Sequence, residues 1–446
     1  MKWYAAVIAC AVGMVARQSA PAMSLLSHQP SISVEGRITC PYISTRGGMA
    51  YLLVSVTTSG DGFVERQPLN LSVVLDRSGS MGEESKIQNA KAALYALVDQ
   101  MQSNDILSIV IYDDIVEVLR GAARVSDKRA IKRLIDEVQP RGFTNLGGGM
   151  VEGFHQVERN VGREYVNRVI LLSDGLANRG ITDPYELNRI VRKYRGKSIA
   201  ITTMGVGLDY NENLMVHLAD HGGGNYYFIE GAHNLASVLR REFDMLSGVV
   251  AQRATLELIA GHGVKIVGVI GCEVSREGNR AFIPVGDLYA RDRRDFTVEL
   301  DVPPGSGSMS VMRGTLRYEG ERERQACRTF STNIRYTHDV AEIERNRDQD
   351  AQARADVAVS TRNVDLALEA LDKGKKDEAA TRLNEARQVL VASPAAAAGG
   401  SVAGTIRAQE IKLSSYEALL SDSTTDARKV KKEIQYRNYQ VQKNKQ

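Results

Sequence analysis

Five short apolar runs, separated by longer helical patterns, constrain this chain more than any other feature. They are LSVVL (71–75), ILSIVIY (106–112), RVILLS (168–173), SIAITTMGV (198–206) and NYYFI (225–229). Their near-continuous apolar character suits strands buried on both faces. Strands alternating with helices build a parallel sheet covered on both sides. Between the runs, stretches such as KIQNAKAALYALVDQM place Ile87, Ala90, Leu94 and Leu97 at helical spacing. A further helix is expected over 129–138, capped by Ser126 or Asp127 and stopped by Pro140. Residues 71–248 are therefore expected to form an α/β domain with a doubly wound, mostly parallel sheet.

The flanks read differently. Over 249–336 short alternating runs with frequent glycine (ATLELIA, VKIVGVI, DFTVELDV, GTLRYEG) leave no room for a long helix, so an antiparallel β-sandwich is expected. SISVEGRITC and AYLLVSVTT, within 30–70, have the same character and are expected to supply strands to that sandwich. The α/β domain would then be inserted into it. Beyond the sandwich, Val364, Leu368, Leu371 and Leu383, Ala386, Leu390 recur at helical spacing around Gly374, which implies a helical hairpin over 338–392. A small-residue linker is expected over 393–400, followed by a helical tail over 401–446. That tail carries Lys429, Lys431, Lys432, Arg437, Lys443 and Lys445, and such a basic end is more often a solvated terminus than a binding patch.

The 446-residue chain has 43% apolar and 25% charged residues, within the range of globular proteins. Its net charge of +3 gives no electrostatic case for nucleic acid. At the start, Lys2 precedes an apolar run from Trp3 to Ala16, and Ala20, Pro21 and Ala22 supply small residues at its end. Residues 1–22 are read as a signal peptide, too short for the roughly 20 residues that span a bilayer, with an uncleaved anchor as the alternative. A secreted or periplasmic protein without a transmembrane segment in its mature chain is the expectation. In that oxidising setting Cys272 and Cys327, both in the predicted β region, are the preferred disulfide pair, against three free cysteines with Cys40.

In open α/β sheets, ligands sit beyond the carboxyl ends of the strands. Asp76, Ser78 and Ser80 follow the first run directly in VVLDRSGSMG. Asp174 and Gly175 follow RVILLS, and Thr144 stands in the glycine-rich RGFTNLGGGM. Two carboxylates and three hydroxyls without histidine or cysteine form an all-oxygen set, which suits hard cations. Because hydroxyls outnumber acids, Mg²⁺ is favoured, with Mn²⁺ or Ca²⁺ as alternatives. Alternate residues of an extended loop point the same way, which explains the spacing of 76, 78 and 80. Gly79 and Gly82 let that loop bend.

This combination closely resembles the von Willebrand factor type A (VWA) domain and its metal-ion-dependent adhesion site, in the form found in secreted bacterial proteins. The resemblance covers about 69–250. It implies a Rossmann-like fold in which Ser78, Ser80 and Thr144 touch the metal. At least one of Asp76 and Asp174 would act through water, and a partner's Asp or Glu would complete the shell. It also implies that the last helix of the domain, about 232–247, shifts when the metal gains a ligand. The expected function is metal-dependent protein binding or adhesion, with a structural envelope scaffold as the alternative.

An enzyme is not expected. No Gly-Lys-Ser/Thr phosphate loop, Gly-x-Ser-x-Gly elbow or His-Glu-x-x-His helix occurs, and Ser78 has no adjacent base in sequence. His217 and His221, one helical turn apart with Asp220 between them, read as surface residues rather than zinc ligands. Gly147, Gly148 and Gly149 lack the lysine of a nucleotide site and are assigned to close packing. Tyr226, Tyr227 and Phe228 are read as strand residues.

Overall fold

The computed structural model describes residues 31–59, 66–320, 325–421 and 424–443; the expected signal peptide lies outside them. Three strands come first, β1 (Ile32–Ile38), β2 (Tyr42–Ser44) and β3 (Gly48–Thr58). The α/β domain follows with β4 (Leu69–Asp76), α1 (Lys86–Gln100), β5 (Ile106–Tyr112), β6 (Val116–Arg124), α2 (Lys128–Asp136) and α3 (Leu146–Glu158). It continues through β7 (Val166–Ser173), α4 (Pro184–Gly196), β8 (Ala200–Val206), α5 (Glu212–Gly222), β9 (Gly223–Ile229) and α6 (Leu235–Ser247). Its sheet has the order β6-β5-β4-β7-β8-β9, parallel except for the edge pair β5/β6.

Residues of β4, β5 and β7 are buried without interruption, as strands covered on both faces must be. Of the two candidate caps for α2, Asp127 is the one used: its carboxylate accepts from the Ala130 N–H at 2.9 Å. Strand β6 is absent from the sequence expectation because its residues are largely exposed and carry no apolar run.

Chain entry and exit both fall in the β region. It contains β10 (Val249–Ala260), β11 (Lys265–Val269), β12 (Ser275–Glu277), β13 (Arg280–Tyr289), β14 (Arg293–Val302), β15 (Ser308–Gly320) and β16 (Ala326–Thr337). One sheet has the order β1-β3-β14-β11 and the other β12-β13-β10-β15-β16-β2. The α/β domain leaves β3 in the first sheet and returns into β10 in the second, so it is inserted between the two layers' strands. Buried Arg168 of β7 ties the units together, donating to Asp287 Oδ2 at 2.9 Å and lying 3.3 Å from the Tyr289 hydroxyl. Arg66 makes a two-pronged bond to buried Asp105 at 3.0 and 2.8 Å and reaches Ser247 Oγ at 3.0 Å, bracing the junction of α6 with the sandwich.

The expected Cys272–Cys327 disulfide does not form: Cys40, Cys272 and Cys327 are all free. Cys327 belongs to β16 in one sheet, whereas Cys272 follows β11 of the other, so a shared β region does not bring them together.

Helices α7 (Val340–Arg345), α8 (Gln349–Asp372), α9 (Lys376–Val391), α10 (Gly400–Ser421) and α11 (Ala427–Gln442) complete the chain. The stretch expected as a linker contains a 3₁₀ turn at Pro394–Ala397, started by Ser393, whose hydroxyl accepts from the Ala395 N–H at 3.2 Å. Ala395 is buried in the helical core beside Leu390 and Ile406, so small size here permits packing rather than looseness. None of the helices among the described residues is long and apolar enough to cross a membrane.

Among the described residues the basic tail is docked rather than a free solvated terminus; Lys445 lies outside them. Helix α11 lies along the β9 edge with Val430, Ile434 and Tyr439 buried. Its cations meet acids of the α/β domain: Arg428 with Asp209 at 2.7 Å, Lys429 with Glu230 at 2.6 Å and Lys431 with Glu212 at 2.6 Å. Lys432 also pairs with Glu212 and donates to the Tyr210 carbonyl at 2.7 Å, while Lys443 pairs with Asp220 at 2.9 Å.

Candidate metal centre at the sheet edge

Asp76, Tyr112 and Ser173 are the last residues of the adjacent strands β4, β5 and β7, so parallel register alone brings them together. Asp76 Oδ1 accepts from the Ser78 N–H at 2.8 Å, which folds the loop back over the strand end. Asp76 Oδ2 accepts from Ser173 Oγ at 2.8 Å and lies 3.2 Å from the Tyr112 hydroxyl, which also reaches the Leu172 carbonyl at 3.0 Å. Asp76 is fully buried, and its pKa is pushed up to about 6, first by burial and then by the charge of Asp174. The hydrogen bonds from Ser78 and Ser173 offset part of that rise.

Asp174, also fully buried, follows β7 directly. Its Oδ1 accepts from Ser80 Oγ at 2.8 Å and its Oδ2 from Lys86 Nζ at 2.9 Å. Lys86 begins α1 with a side chain only 5% exposed. Burial works against its charge, but the hydrogen bond and charge of Asp174 outweigh that and raise its pKa.

The three hydroxyls belong to the same strand-end cluster. Ser78 Oγ and Ser80 Oγ are 3.2 Å apart. Thr144 is held by its N–H donating to Asn178 Oδ1 at 2.9 Å, and its carbonyl accepts from the Asn178 N–H at 3.2 Å. A Cβ on Gly175 would lie 3.3 Å from Thr144 Oγ1 and 3.9 Å from Ser80 Oγ, so the missing side chain leaves the space between those oxygens free. Among the described residues no cluster of three or more His, Cys, Asp or Glu could hold a metal, so a cation here would rest on hydroxyls. An all-oxygen set with few direct anions fits a hard divalent ion that keeps water or a foreign ligand.

All five predicted residues, Asp76, Ser78, Ser80, Thr144 and Asp174, thus meet at one edge. Three others, Lys86, Tyr112 and Ser173, were not singled out from the sequence. Lys86 had a signal, since it stands at helical spacing with Ala90, Ala93 and Leu97 and so continues a buried stripe with a charge. Tyr112 and Ser173 had one too, as the polar last residues of apolar runs.

The glycine run after Thr144 packs rather than binds. A Cβ on Gly149 would come within 2.6 Å of the Tyr112 ring, so α3 rests directly on the residue that reaches Asp76. His217 and His221 stand with rings 5.9 Å apart. His221 Nδ1 is 2.7 Å from Asn188 Oδ1 and its Nε2 is 3.1 Å from Glu273, so its nitrogens are engaged in tying α5 to its neighbours. Tyr226 and Tyr227 are buried strand residues of β9.

Around the opening, Arg77 and Arg141 both pair with Asp113, at 2.8 and 2.6 Å. Exposed Phe143 lies beneath the Arg179 guanidinium, 4.7 Å from ring centre to carbon.

A doubly wound sheet with a cluster of oxygen-bearing side chains at its carboxyl edge defines a class of α/β domain. Residues 70–241 match the family model of the von Willebrand factor type A domain, and the chain carries that domain. Such domains commonly mediate protein–protein interaction and often bind a divalent metal at the adhesion site. An Escherichia coli K12 protein, YfbK, is 32% identical over 184 residues, covering 41% of this chain and 32% of its own length. The chain thus matches about a third of that relative. Two solved structures share the fold over nearly all of the chain. The von Willebrand factor type A protein of Catenulispora acidiphila has a TM-score of 0.72 at 16% identity, covering 94% of this chain and 98% of its own. The ArnB paralog VWA2 of Sulfolobus acidocaldarius has a TM-score of 0.60 at 19% identity, covering 93% and 98%.

Proposed function

We propose that this protein is a secreted or periplasmic interaction module that holds Mg²⁺ at Ser78, Ser80, Thr144, Asp76 and Asp174 and binds a partner protein through that partner's Asp or Glu. The observation that carries the reading is that the hydroxyls of Ser78, Ser80 and Thr144 gather at one strand-end cluster, with Gly175 leaving space between Ser80 and Thr144, backed by two carboxylates whose oxygens are already hydrogen-bonded within the chain. Serine and threonine oxygens would contact the ion directly, and the carboxylates would orient them and act through water. Such an ion keeps its electrophilic character and an open position for an external carboxylate.

Binding rather than catalysis is the role proposed. Ser78 Oγ pairs with Ser80 Oγ, which is no base, and a nucleophilic serine needs one. The loops at the edge are tied by protein hydrogen bonds, so a metal that served only to hold them would have little to add. The test is capture of a partner from the cell envelope by the intact protein with Mg²⁺ or with chelator. Retention only with Mg²⁺, lost in Ser80→Ala and Thr144→Val, is expected; equal capture by the variants would refute the reading.

A further inference from the structure

Lys86 occupies an unusual place: an ammonium group sunk beside the oxygen cage, bonded to one of its two carboxylates. Its Nζ lies 2.9 Å from Asp174 Oδ2, with side-chain exposures of 5% and 0%. A buried ion pair resists screening by salt. Its neighbours at the start of α1, Glu83 and Glu84, are exposed, and water screens them.

Charge counting gives the consequence. Asp76 and Asp174 supply two negative charges and Lys86 one positive, so the cage holds one net negative charge. A divalent cation would turn that into one net positive charge in a buried, low-dielectric setting, where excess charge is costly. One external carboxylate restores neutrality. Without Lys86 the two acids would balance the ion by themselves.

We propose that Lys86 is a built-in counter-cation that weakens metal binding alone and couples it to the arrival of an anionic ligand. This rests on the reading of the edge as a metal site. Lys86 touches Asp174 rather than the opening, so it acts as a tuning residue. It also keeps Asp174 paired when no metal is bound, since a buried carboxylate left without its partner is strongly destabilising.

The experiment uses the full chain and Mn²⁺ as probe, with free ion followed by electron paramagnetic resonance in chloride or in acetate at matched ionic strength. The native protein is expected to bind Mn²⁺ more tightly in acetate than in chloride. Lys86→Met and Lys86→Gln are expected to bind it roughly tenfold more tightly in chloride, with little further gain from acetate. Lys86→Arg, which keeps the charge, should behave as native. The neutral variants should also melt lower than native without metal and rise further when Mn²⁺ is added, a readout that survives if they are only marginally folded. Native protein that binds Mn²⁺ while the neutral variants bind it no more tightly and gain no larger melting shift would overturn the role of Lys86 and leave the metal site standing. Native protein that binds no Mn²⁺ in either salt would overturn the metal site itself.

Discussion

The Tyr439 hydroxyl accepts a hydrogen bond from the backbone N–H of Tyr226 at 3.1 Å, so a side chain of the last helix completes backbone bonding on the edge strand β9. Both residues are buried, and their rings meet edge to face with centres 5.7 Å apart. Tyr439→Phe keeps the ring and removes the acceptor, leaving a buried N–H unpaired. The expected loss is about 1–3 kcal/mol in chemical denaturation, with faster hydrogen exchange at the Tyr226 amide. Unchanged exchange there would mean that the helix does not hold the edge.

Asp365 accepts from Asn438 at 2.7 Å and from Gln442 at 2.6 Å, both on α11. Burial pushes its pKa up to about 6, against those two hydrogen bonds. A carboxyl that is a weaker acid when folded stabilises the fold fully below its unfolded pKa of about 3.9, and that contribution is lost as pH rises through about 6. Asp365→Asn removes the titration. Relative to native, the variant should therefore gain about 2 kcal/mol between pH 4.5 and 7.5, read from urea midpoints. A stability difference independent of pH would show that this carboxyl does not titrate in that window.

Gly149→Ala places a methyl against the Tyr112 ring, where a Cβ would come within 2.6 Å. Overpacking of this kind costs about 1–3 kcal/mol. Because the Tyr112 hydroxyl lies 3.2 Å from Asp76 Oδ2, the displaced ring should also weaken Mg²⁺ binding, measurable by calorimetry. The reverse outcome, native metal affinity in a destabilised variant, would separate the packing of α3 from the cage.

Saturating Mg²⁺ at about 100 times its dissociation constant should stabilise the native protein by about 2.7 kcal/mol through binding linkage. Ser80→Ala with Thr144→Val should abolish that increment, because two of the three hydroxyls are gone. A thermal shift with Mg²⁺ that persists in the double variant would place the ion elsewhere.

The strands that read most clearly in sequence were those buried on both faces, because β4, β5 and β7 have no polar face to break the run. Strand β6 was silent for the opposite reason: at an exposed edge, Glu117 and Arg124 face water, and no pattern forms. The oxygen cage was legible because Asp76 and Asp174 sit at the ends of neighbouring parallel strands, while Ser78, Ser80 and Thr144 stand in loops at the same edge of the sheet. Lys86 was passed over although its spacing placed it on the buried stripe of α1, because its partner Asp174 stands far off in sequence and only the fold brings the two together. The tail misled because lysines were counted without their acids: Asp209, Glu212 and Glu230 lie far away in sequence, and only the fold sets them opposite Arg428, Lys431 and Lys429.

The docking of α11 along β9 has a further consequence for how copies of the chain behave toward one another. An uncovered outer strand offers its free backbone groups as a template on which a second molecule can add its own. By laying a helix on that margin, the chain blocks growth in that direction. A copy clipped before Ala427 would be expected to lose that guard and to become self-adhesive.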